Sequence, residues 1–178
     1  MKVYFMRHGE SEYNIIKRIN FDPKKKVHLT IKGKDQVEKT ARELRNMRFD
    51  AIYSSQFLRA RESAEIMAKN GKIKIKVDKR LNEMRYGLEG ESAEKYYEAR
   101  KTAAKFSEFK IGGFESFLDV KERVYDFLME LRKKKYARVL VVTHEAVVQA
   151  ARALFNQLGD DDAFLSRVRN AEYFMFDM

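Results

Sequence analysis

Residues 138–155, RVLVVTHEAVVQAARALF, decide the fold that we predict for this chain. Val139 to Val142 are four consecutive apolar residues without polar alternation, which is typical of a strand buried on both faces at the centre of a sheet. The apolar residues that follow recur at helical spacing: Val147, Val148, Ala151, Leu154 and Phe155. The stretch therefore predicts a strand followed directly by a helix, with His144 at the junction.

The rest of the chain repeats this alternation of strand and helix. Further strands are predicted over 2–6, 51–53, 73–77 and 173–176. Helices are predicted over 31–48, over 56–69 with Gly71 as a stop, over 91–109, and after a capping box at 116–119. This alternation predicts an α/β fold, a three-layer α/β/α sandwich with a mainly parallel central sheet, formed by residues 1–178 as a single domain.

The composition excludes several classes of function. The chain has 178 residues and no cysteine, so disulfides, thiolate nucleophiles, zinc fingers and iron–sulfur sites are excluded. The absence of cysteine suits a reducing compartment. No apolar run approaches the roughly 20 residues that cross a bilayer. We therefore expect a cytoplasmic protein without a membrane partner.

The chain is basic, with 37 Lys or Arg against 27 Asp or Glu and a formal net charge of +10. This excess could attract nucleic acid, steer small anionic substrates, or simply keep the protein in solution. Basic residues mostly alternate with acidic ones, which is typical of solvated helix faces. The run Lys24, Lys25 and Lys26 is an exception, and it could rim a pocket that recruits a multiply charged substrate.

Two of the three histidines follow directly on predicted strands. His8 follows the first strand, and His144 follows the most hydrophobic one. Ligands of open parallel sheets bind beyond the carboxyl ends of the strands, so the two rings can face one pocket. Arg7 adjoins His8, and Arg59 lies near the start of a helix that follows a strand. Arginine presents a planar, permanently charged fork that suits phosphate, so these residues indicate a phosphate site rather than a nucleic-acid groove.

Six segments, in order along the chain, together resemble a known family. They are Arg7-His8-Gly9-Glu10-Ser11 with Asn14; Leu29-Thr30-x-x-Gly33-x-x-Gln36; Ser54-Ser55-x-x-x-Arg59-Ala60-x-x-Ser63-Ala64; Leu81-Asn82-Glu83-x-x-x-Gly87-x-x-Gly90; Glu115-Ser116 with Arg123-Val124; and Thr143-His144 with Arg152. This ordered set resembles the histidine phosphatase superfamily, in its phosphoglycerate mutase-like branch. The resemblance covers nearly the whole chain and implies the fold predicted above.

The resemblance also implies a role for each matched residue. His8 would be the nucleophile and form a phosphohistidine, since an imidazole with a pKa near ~6.5 is largely neutral at neutral pH. Arg7, Arg59 and His144 would surround the transferring phosphoryl group, and Asn14 would donate to the same oxygens. The protein would then be a metal-independent phosphomonoesterase of the histidine acid phosphatase type. It would need no cofactor and would hydrolyse a small phosphorylated metabolite.

Glu83 would protonate the leaving alkoxide and then deprotonate the attacking water. This role needs a partly protonated carboxyl, which burial favours and nearby arginines oppose. Simpler interpretations are that Glu83 is a surface carboxylate paired with Arg85, and that Arg59 forms an ordinary salt bridge with Glu62. The protein could instead be a phosphoglycerate mutase-type phosphotransferase, or a non-catalytic protein that binds nucleic acid or another polyanion on this scaffold.

Two features depart from the family pattern. Glu145 stands where glycine is usual, and its carboxylate could repel anions, raise the pKa of His144 or point away. The loop over 19–29 also differs, which leaves the identity of the substrate open. The strand over 173–176 would lie at a sheet edge and could pair between two copies of the chain, giving a homodimer.

Overall fold

The computed structural model describes residues 1–68, 73–155 and 158–178. Its strands are β1 (Lys2–Arg7), β2 (Ala51–Ser54), β3 (Ile75–Val77), β4 (Arg138–Thr143) and β5 (Tyr173–Asp177). Its α-helices are α1 (Glu12–Ile15), α2 (Ile31–Glu43), α3 (Leu58–Ala68), α4 (Ala93–Arg100), α5 (Phe117–Arg132), α6 (Glu145–Leu154) and α7 (Asp160–Leu165), and a 3₁₀ turn covers Lys79–Leu81. The predicted alternation of strand and helix is confirmed.

The five strands form one sheet in the order β3-β2-β4-β1-β5. β4 is the central strand, as its unbroken apolar run predicts, and it pairs in parallel with both β1 and β2. β5 is antiparallel to β1 and forms one edge. The register pairs Arg7 with Thr143, so β1 and β4 end side by side. The residues that follow them are therefore neighbours in space.

Alternate residues of the central strands face two separate hydrophobic cores. Val3, Phe5, Val139 and Val141 belong to the core that also contains apolar residues of α5 and α6. Tyr4, Met6, Leu140 and Val142 belong to the core that contains Val37 of α2 and Ala64 of α3. This period of two is the side-chain period of a strand. The helices thus cover both faces of the sheet, and the predicted three-layer α/β/α sandwich is confirmed.

Several predicted helix bounds were too long. The helix predicted over 31–48 ends at Glu43, with Leu44 as its C-cap. Leu44 is the last buried residue of the predicted apolar face, since Met47 is 42% exposed. The helix predicted over 91–109 covers only Ala93–Arg100, of which Tyr96 alone is buried. Beyond it the chain turns back, and the Arg100 guanidinium lies 5.2 Å from the ring centre of Phe106.

Other details could not be read from the pattern or lie outside the described residues. The short helices α1 and α7 were not predicted. The stop assigned to Gly71 lies outside the described residues, and the helix before it is described as far as Ala68. The capping box at Ser116 is confirmed: its hydroxyl accepts from Asp119 N, and the Asp119 carboxylate accepts from Ser116 N. None of the helices described over 1–68, 73–155 and 158–178 is long and apolar enough to cross a membrane.

Candidate active site

The imidazole of His8 lies just beyond the end of β1 and is 2% exposed. Its backbone N–H donates to the Thr143 carbonyl at 2.9 Å, which continues the pairing with β4 by one residue. Its Nδ1 lies 2.6 Å from the Gly9 carbonyl oxygen. Because a carbonyl oxygen only accepts, Nδ1 carries the proton of the neutral ring. The lone pair is then on Nε2, which accepts from Arg59 Nε at 3.1 Å.

The imidazole of His144 lies beside that of His8, with ring centres 5.1 Å apart. His144 follows β4 and precedes the first residue of α6. Arg59 NH2 lies 3.4 Å from its Nδ1, and since arginine only donates, this nitrogen is the acceptor. Nε2 then donates to Ser55 Oγ at 2.7 Å. The structure therefore brings the two strand-end histidines together, each with a lone pair directed at the same guanidinium.

Burial lowers the pKa of both histidines well below their usual value. The nearby Arg59 and Arg7 guanidinium groups lower both pKa values further, and for His144 the His8 ring adds to the effect. Both rings are therefore neutral at pH 7. A neutral His8 keeps the Nε2 lone pair that nucleophilic attack requires.

Arg59 is the second residue of α3 and is 5% exposed. Burial lowers its pKa to about 10, opposed by the carboxylates of Glu83 and Glu89, so the guanidinium is charged at neutral pH. The salt bridge with Glu62 that was the simpler interpretation is wrong. Glu62 instead contacts the ring of His28 at 2.7 Å and accepts from Leu29 N.

Arg7 points from the end of β1 toward the start of α6. Its NH1 contacts a carboxylate oxygen of Glu145 at 3.0 Å and donates to the Val168 carbonyl at 2.5 Å. Its Nε is buried and has no hydrogen-bond partner among the described residues. Of the outcomes considered for Glu145, pointing away is therefore wrong. A net rise in the pKa of His144 is also wrong, because burial and the nearby guanidinium groups lower that pKa.

Glu83 lies just after the 3₁₀ turn and is 9% exposed. One of its oxygens accepts from Met84 N at 2.9 Å. Burial raises its pKa, against the opposing effects of the Met84 N–H and the two arginines. The surface pair with Arg85 that was the simpler interpretation is wrong, since the Arg85 guanidinium contacts Glu115 at 3.8 Å.

Asn14 contributes to the loop that carries His8. Its Oδ1 accepts from Ser11 N at 3.0 Å and from Asn170 Nδ2 at 3.3 Å. The same Asn170 amide donates to the His8 carbonyl at 3.2 Å. Asn14 is thus joined to the backbone of His8 through one asparagine.

The second segment of the resemblance supports the same loop. Glu10 N donates to Gln36 Oε1 at 2.9 Å, and Thr30 N donates to the Glu10 carbonyl at 2.9 Å. A Cβ at Gly33 would overlap the Glu10 carbonyl oxygen, so the two backbones can be this close only at a glycine. These residues fix where the backbone places His8.

Sequence reasoning assigned no site role to Ser55, Asn20 or Asn170. The Ser55 hydroxyl accepts from Phe57 N at 3.3 Å and also contacts His144 Nε2 at 2.7 Å. Asn20 belongs to the loop that departs from the family pattern, and its backbone carbonyl accepts from Arg59 NH2 at 3.2 Å. The sequence carried no signal for Asn170.

Cavity size does not identify this site. A groove of about 600 Å³ is lined by Arg7 together with residues of α2 and the segment 167–173, but by none of His8, Arg59 and His144. Among the described residues, no group of three or more His, Asp or Glu side chains is arranged to hold a metal ion. The site is therefore defined by its chemistry: two neutral imidazoles, two guanidinium groups and a buried carboxyl.

The chain is similar to known proteins over most of its length. The chain matches the family model described as histidine phosphatase superfamily (branch 1) over residues 3–178. Phosphoserine phosphatase 1 of Hydrogenobacter thermophilus is 31% identical over 159 residues, which cover 85% of this chain and 74% of that protein. A 2,3-bisphosphoglycerate-dependent phosphoglycerate mutase of Thermoplasma acidophilum is 28% identical over 190 residues, covering 100% and 88%.

Solved structures show the same fold. A mycobacterial glucosyl-3-phosphoglycerate phosphatase in complex with VO3 superposes with a TM-score of 0.84 at 23% identity, covering 98% of this chain and 91% of that one. At this identity the likeness concerns the fold alone.

Proposed function

This chain belongs to the histidine phosphatase superfamily, and from that premise we propose that it hydrolyses a small phosphate monoester through a phosphohistidine on His8. The observation that carries the proposal is the state of the His8 ring. Its Nδ1 proton is held by the Gly9 carbonyl, and its Nε2 lone pair faces the Arg59 guanidinium. A phosphoryl group that displaces the Arg59 contact would meet a nucleophile on one side and cationic donors on the other.

The proposed reaction has two steps. His8 Nε2 attacks phosphorus while the ester P–O bond breaks, and the departing oxygen takes the proton of Glu83. Water then attacks phosphorus, the P–N bond breaks, and the Glu83 carboxylate takes the proton of the water. Arg59 and Arg7 bind the phosphoryl oxygens in both steps, and the Arg7 Nε–H is buried and unpaired among the described residues before the ester binds. His144 joins them as a donor when its ring proton moves to Nδ1 and Ser55 Oγ–H donates to Nε2. No step needs a metal ion or a cofactor.

A phosphoglycerate mutase activity is the second candidate, because several relatives at 28 to 30% identity are named phosphoglycerate mutases or probable phosphoglycerate mutases. The two activities share the first step and differ in the second. A hydrolase passes the phosphoryl group to water, whereas a mutase returns it to a phosphoglycerate. Release of inorganic phosphate from the phosphorylated enzyme in buffer alone supports hydrolysis. Transfer of the phosphoryl group to added 3-phosphoglycerate, without release of inorganic phosphate, supports the mutase.

The decisive experiment is turnover of p-nitrophenyl phosphate with and without a chelator, combined with rapid acid and alkaline quench. We expect turnover that the chelator does not change, and acid-labile, alkali-stable phosphate on His8. His8→Ala should abolish both signals. His28→Ala is the matched control, because His28 is exposed and paired with Glu62 outside the site. Wild-type turnover in His8→Ala would refute the proposal.

A further inference from the structure

The Arg59 guanidinium divides its donors between two sets of acceptors. The edge formed by Nε and NH2 faces the two histidines, at 3.1 Å from His8 Nε2 and 3.4 Å from His144 Nδ1. The edge formed by NH1 and NH2 faces Asn20. NH1 donates to the Asn20 side-chain oxygen, and NH2 donates to its backbone carbonyl at 3.2 Å. One planar group therefore meets the reactive rings on one edge and a single asparagine on the other.

Asn20 is itself held in one orientation. It is 5% exposed, and its Nδ2 donates to Glu89 Oε1 at 3.1 Å and to the Asp22 carbonyl at 3.0 Å. Because both of these partners only accept, the amide nitrogen must face them and the amide oxygen must face Arg59. Every polar atom of the Asn20 side chain thus has a partner.

Glu89 fixes the loop that carries Asn20. Its Oε2 accepts from Phe21 N at 2.6 Å and from Asp22 N at 3.0 Å. Lys25 Nζ lies 3.2 Å from its Oε1. At least one lysine of the run at 24–26 therefore anchors this loop through Glu89. These contacts join residues 20–25 to a carboxylate far along the chain.

We propose that Asn20 and Glu89 are positioning residues, which hold one edge of Arg59 so that the other edge stays directed at the phosphoryl oxygens. The inference rests on the proposed function. When a phosphate ester enters, Nε and NH2 exchange the histidine nitrogens for phosphoryl oxygens, while NH1 stays on Asn20. Without its contacts to Asn20, the long and flexible Arg59 side chain would point Nε and NH2 at the phosphoryl oxygens only part of the time. Misplacement by about 1 Å can cost on the order of 10²-fold in rate.

Charge supports the same assignment. Arg59 is a buried cation whose charged form is stabilised by the carboxylate of Glu89 as well as by that of Glu83. Glu83 changes its protonation state in the proposed reaction, whereas Glu89 is held by two backbone N–H groups and a lysine. Glu89 takes no part in the proposed proton transfers, so its contacts with the Asn20 loop are the same in both steps.

The first test is a double-mutant cycle on p-nitrophenyl phosphate turnover. We expect Asn20→Ala to lower kcat by about 30-fold, with KM changed less than about threefold, because a hydrogen bond to a charged group is lost and the ground state is less affected. In an Arg59→Lys background, Asn20→Ala should lower kcat by less than about twofold, since Asn20 acts through the guanidinium that this background lacks. Asn46→Ala, at an exposed asparagine, is the control. An equal loss in both backgrounds would overturn the proposal.

The second test exchanges donor and acceptor. Asn20→Asp places a carboxylate opposite Glu89 and should lower kcat. Adding Glu89→Gln lets the amide of residue 89 donate to the new carboxylate, so the double variant should recover part of the lost kcat. The Asp22 carbonyl still faces a carboxylate oxygen, which prevents full recovery. Glu91→Gln is the matched control, because Glu91 forms an exposed pair with Lys95. A double variant that keeps the wild-type Tm but stays as slow as Asn20→Asp would also overturn the assignment.

Different results would refute the proposed function and the positioning role of Asn20. A wild-type protein without turnover and without trapped phosphate on His8 would refute the proposed function. An active wild-type protein whose Asn20 and Arg59 variants act independently would refute only the positioning role.

Discussion

Glu145→Gln should tighten the binding of inorganic phosphate. In the free protein the Glu145 carboxylate contacts the Arg7 guanidinium at 3.0 Å, and its other oxygen accepts from Val168 N at 3.1 Å. In the proposed mechanism Arg7 binds phosphoryl oxygens, so this carboxylate competes with phosphate for one guanidinium and repels the anion. Glutamine keeps an acceptor for Val168 N and removes the charge. The substitution therefore isolates the electrostatic effect.

The magnitude follows from the burial of the pair. Exposed ion pairs contribute about 0–1 kcal/mol, and hydrogen bonds to charged groups about 1.5–3 kcal/mol. The Arg7 side chain is 14% exposed and that of Glu145 is 28% exposed, so the pair lies between these two cases. A value of about 1.4 kcal/mol corresponds to a tenfold change in affinity. We therefore expect the inhibition constant of phosphate to fall about tenfold.

The assay is competitive inhibition of p-nitrophenyl phosphate turnover by phosphate at fixed ionic strength, with calorimetric titration as a second measurement. Glu130→Gln is the control, because that carboxylate pairs with Arg80 on the surface away from the histidines. An unchanged inhibition constant would show that Glu145 does not compete with phosphate. Weaker inhibition in a folded Glu145→Gln variant would show that the carboxylate orients Arg7 for binding, and the reasoning would be refuted.

Three further predictions concern the carboxyl, the histidines and the glycine contact. Glu83→Gln should slow alkyl phosphates by at least about 10²-fold and p-nitrophenyl phosphate much less, because only a poor leaving group needs the proton; equal losses in steady-state kcat/KM would contradict the role of Glu83. The free energy of unfolding should fall as pH drops below about 6.5, by up to about 1.4 kcal/mol per pH unit for each of His8 and His144, because the unfolded chain takes up protons that the folded site excludes. Because its pKa is raised, Glu83 has the opposite effect above about pH 4.5, where it stabilises the folded protein more as the pH falls. Urea unfolding of His8→Gln and wild type at several pH values therefore isolates the contribution of one histidine. Parallel plots of unfolding free energy against pH for the two proteins would contradict the prediction. Gly33→Ala should lower the free energy of unfolding by about 1–3 kcal/mol and lower the Tm, because the added Cβ would overlap the Glu10 carbonyl oxygen. An unchanged Tm would show that the loop can move away freely.

The parts of the fold that could be predicted are those set by local pattern. The unbroken apolar run of β4 identified the sheet centre, and parallel pairing of β1 with β4 then required His8 and His144 to be neighbours. A strand pattern is visible in consecutive residues, and the residues that directly follow two paired strands lie next to each other. Once β1 pairs with β4, the adjacency of two residues far apart in the chain follows from sheet geometry.

The contacts that could not be predicted depend on loops. Asn20 contacts Arg59 from a loop that Glu89 holds, and no periodicity connects these three positions. The pairing of Arg7 with Glu145 depends on where α6 begins relative to β1. Side-chain partners of this kind depend on tertiary geometry, which a single sequence does not display.

One physical cause accounts for both reactive protonation states of the site. Burial disfavours any charged form, so it lowers the pKa of His8 and raises the pKa of Glu83. The same environment therefore favours a neutral nucleophile and a protonated acid. The arginines act in the same direction on the histidine and in the opposite direction on the carboxyl. Their positions thus determine how far Glu83 stays protonated, which is why the orientation of Arg59 affects the proton donor as well as the phosphoryl oxygens.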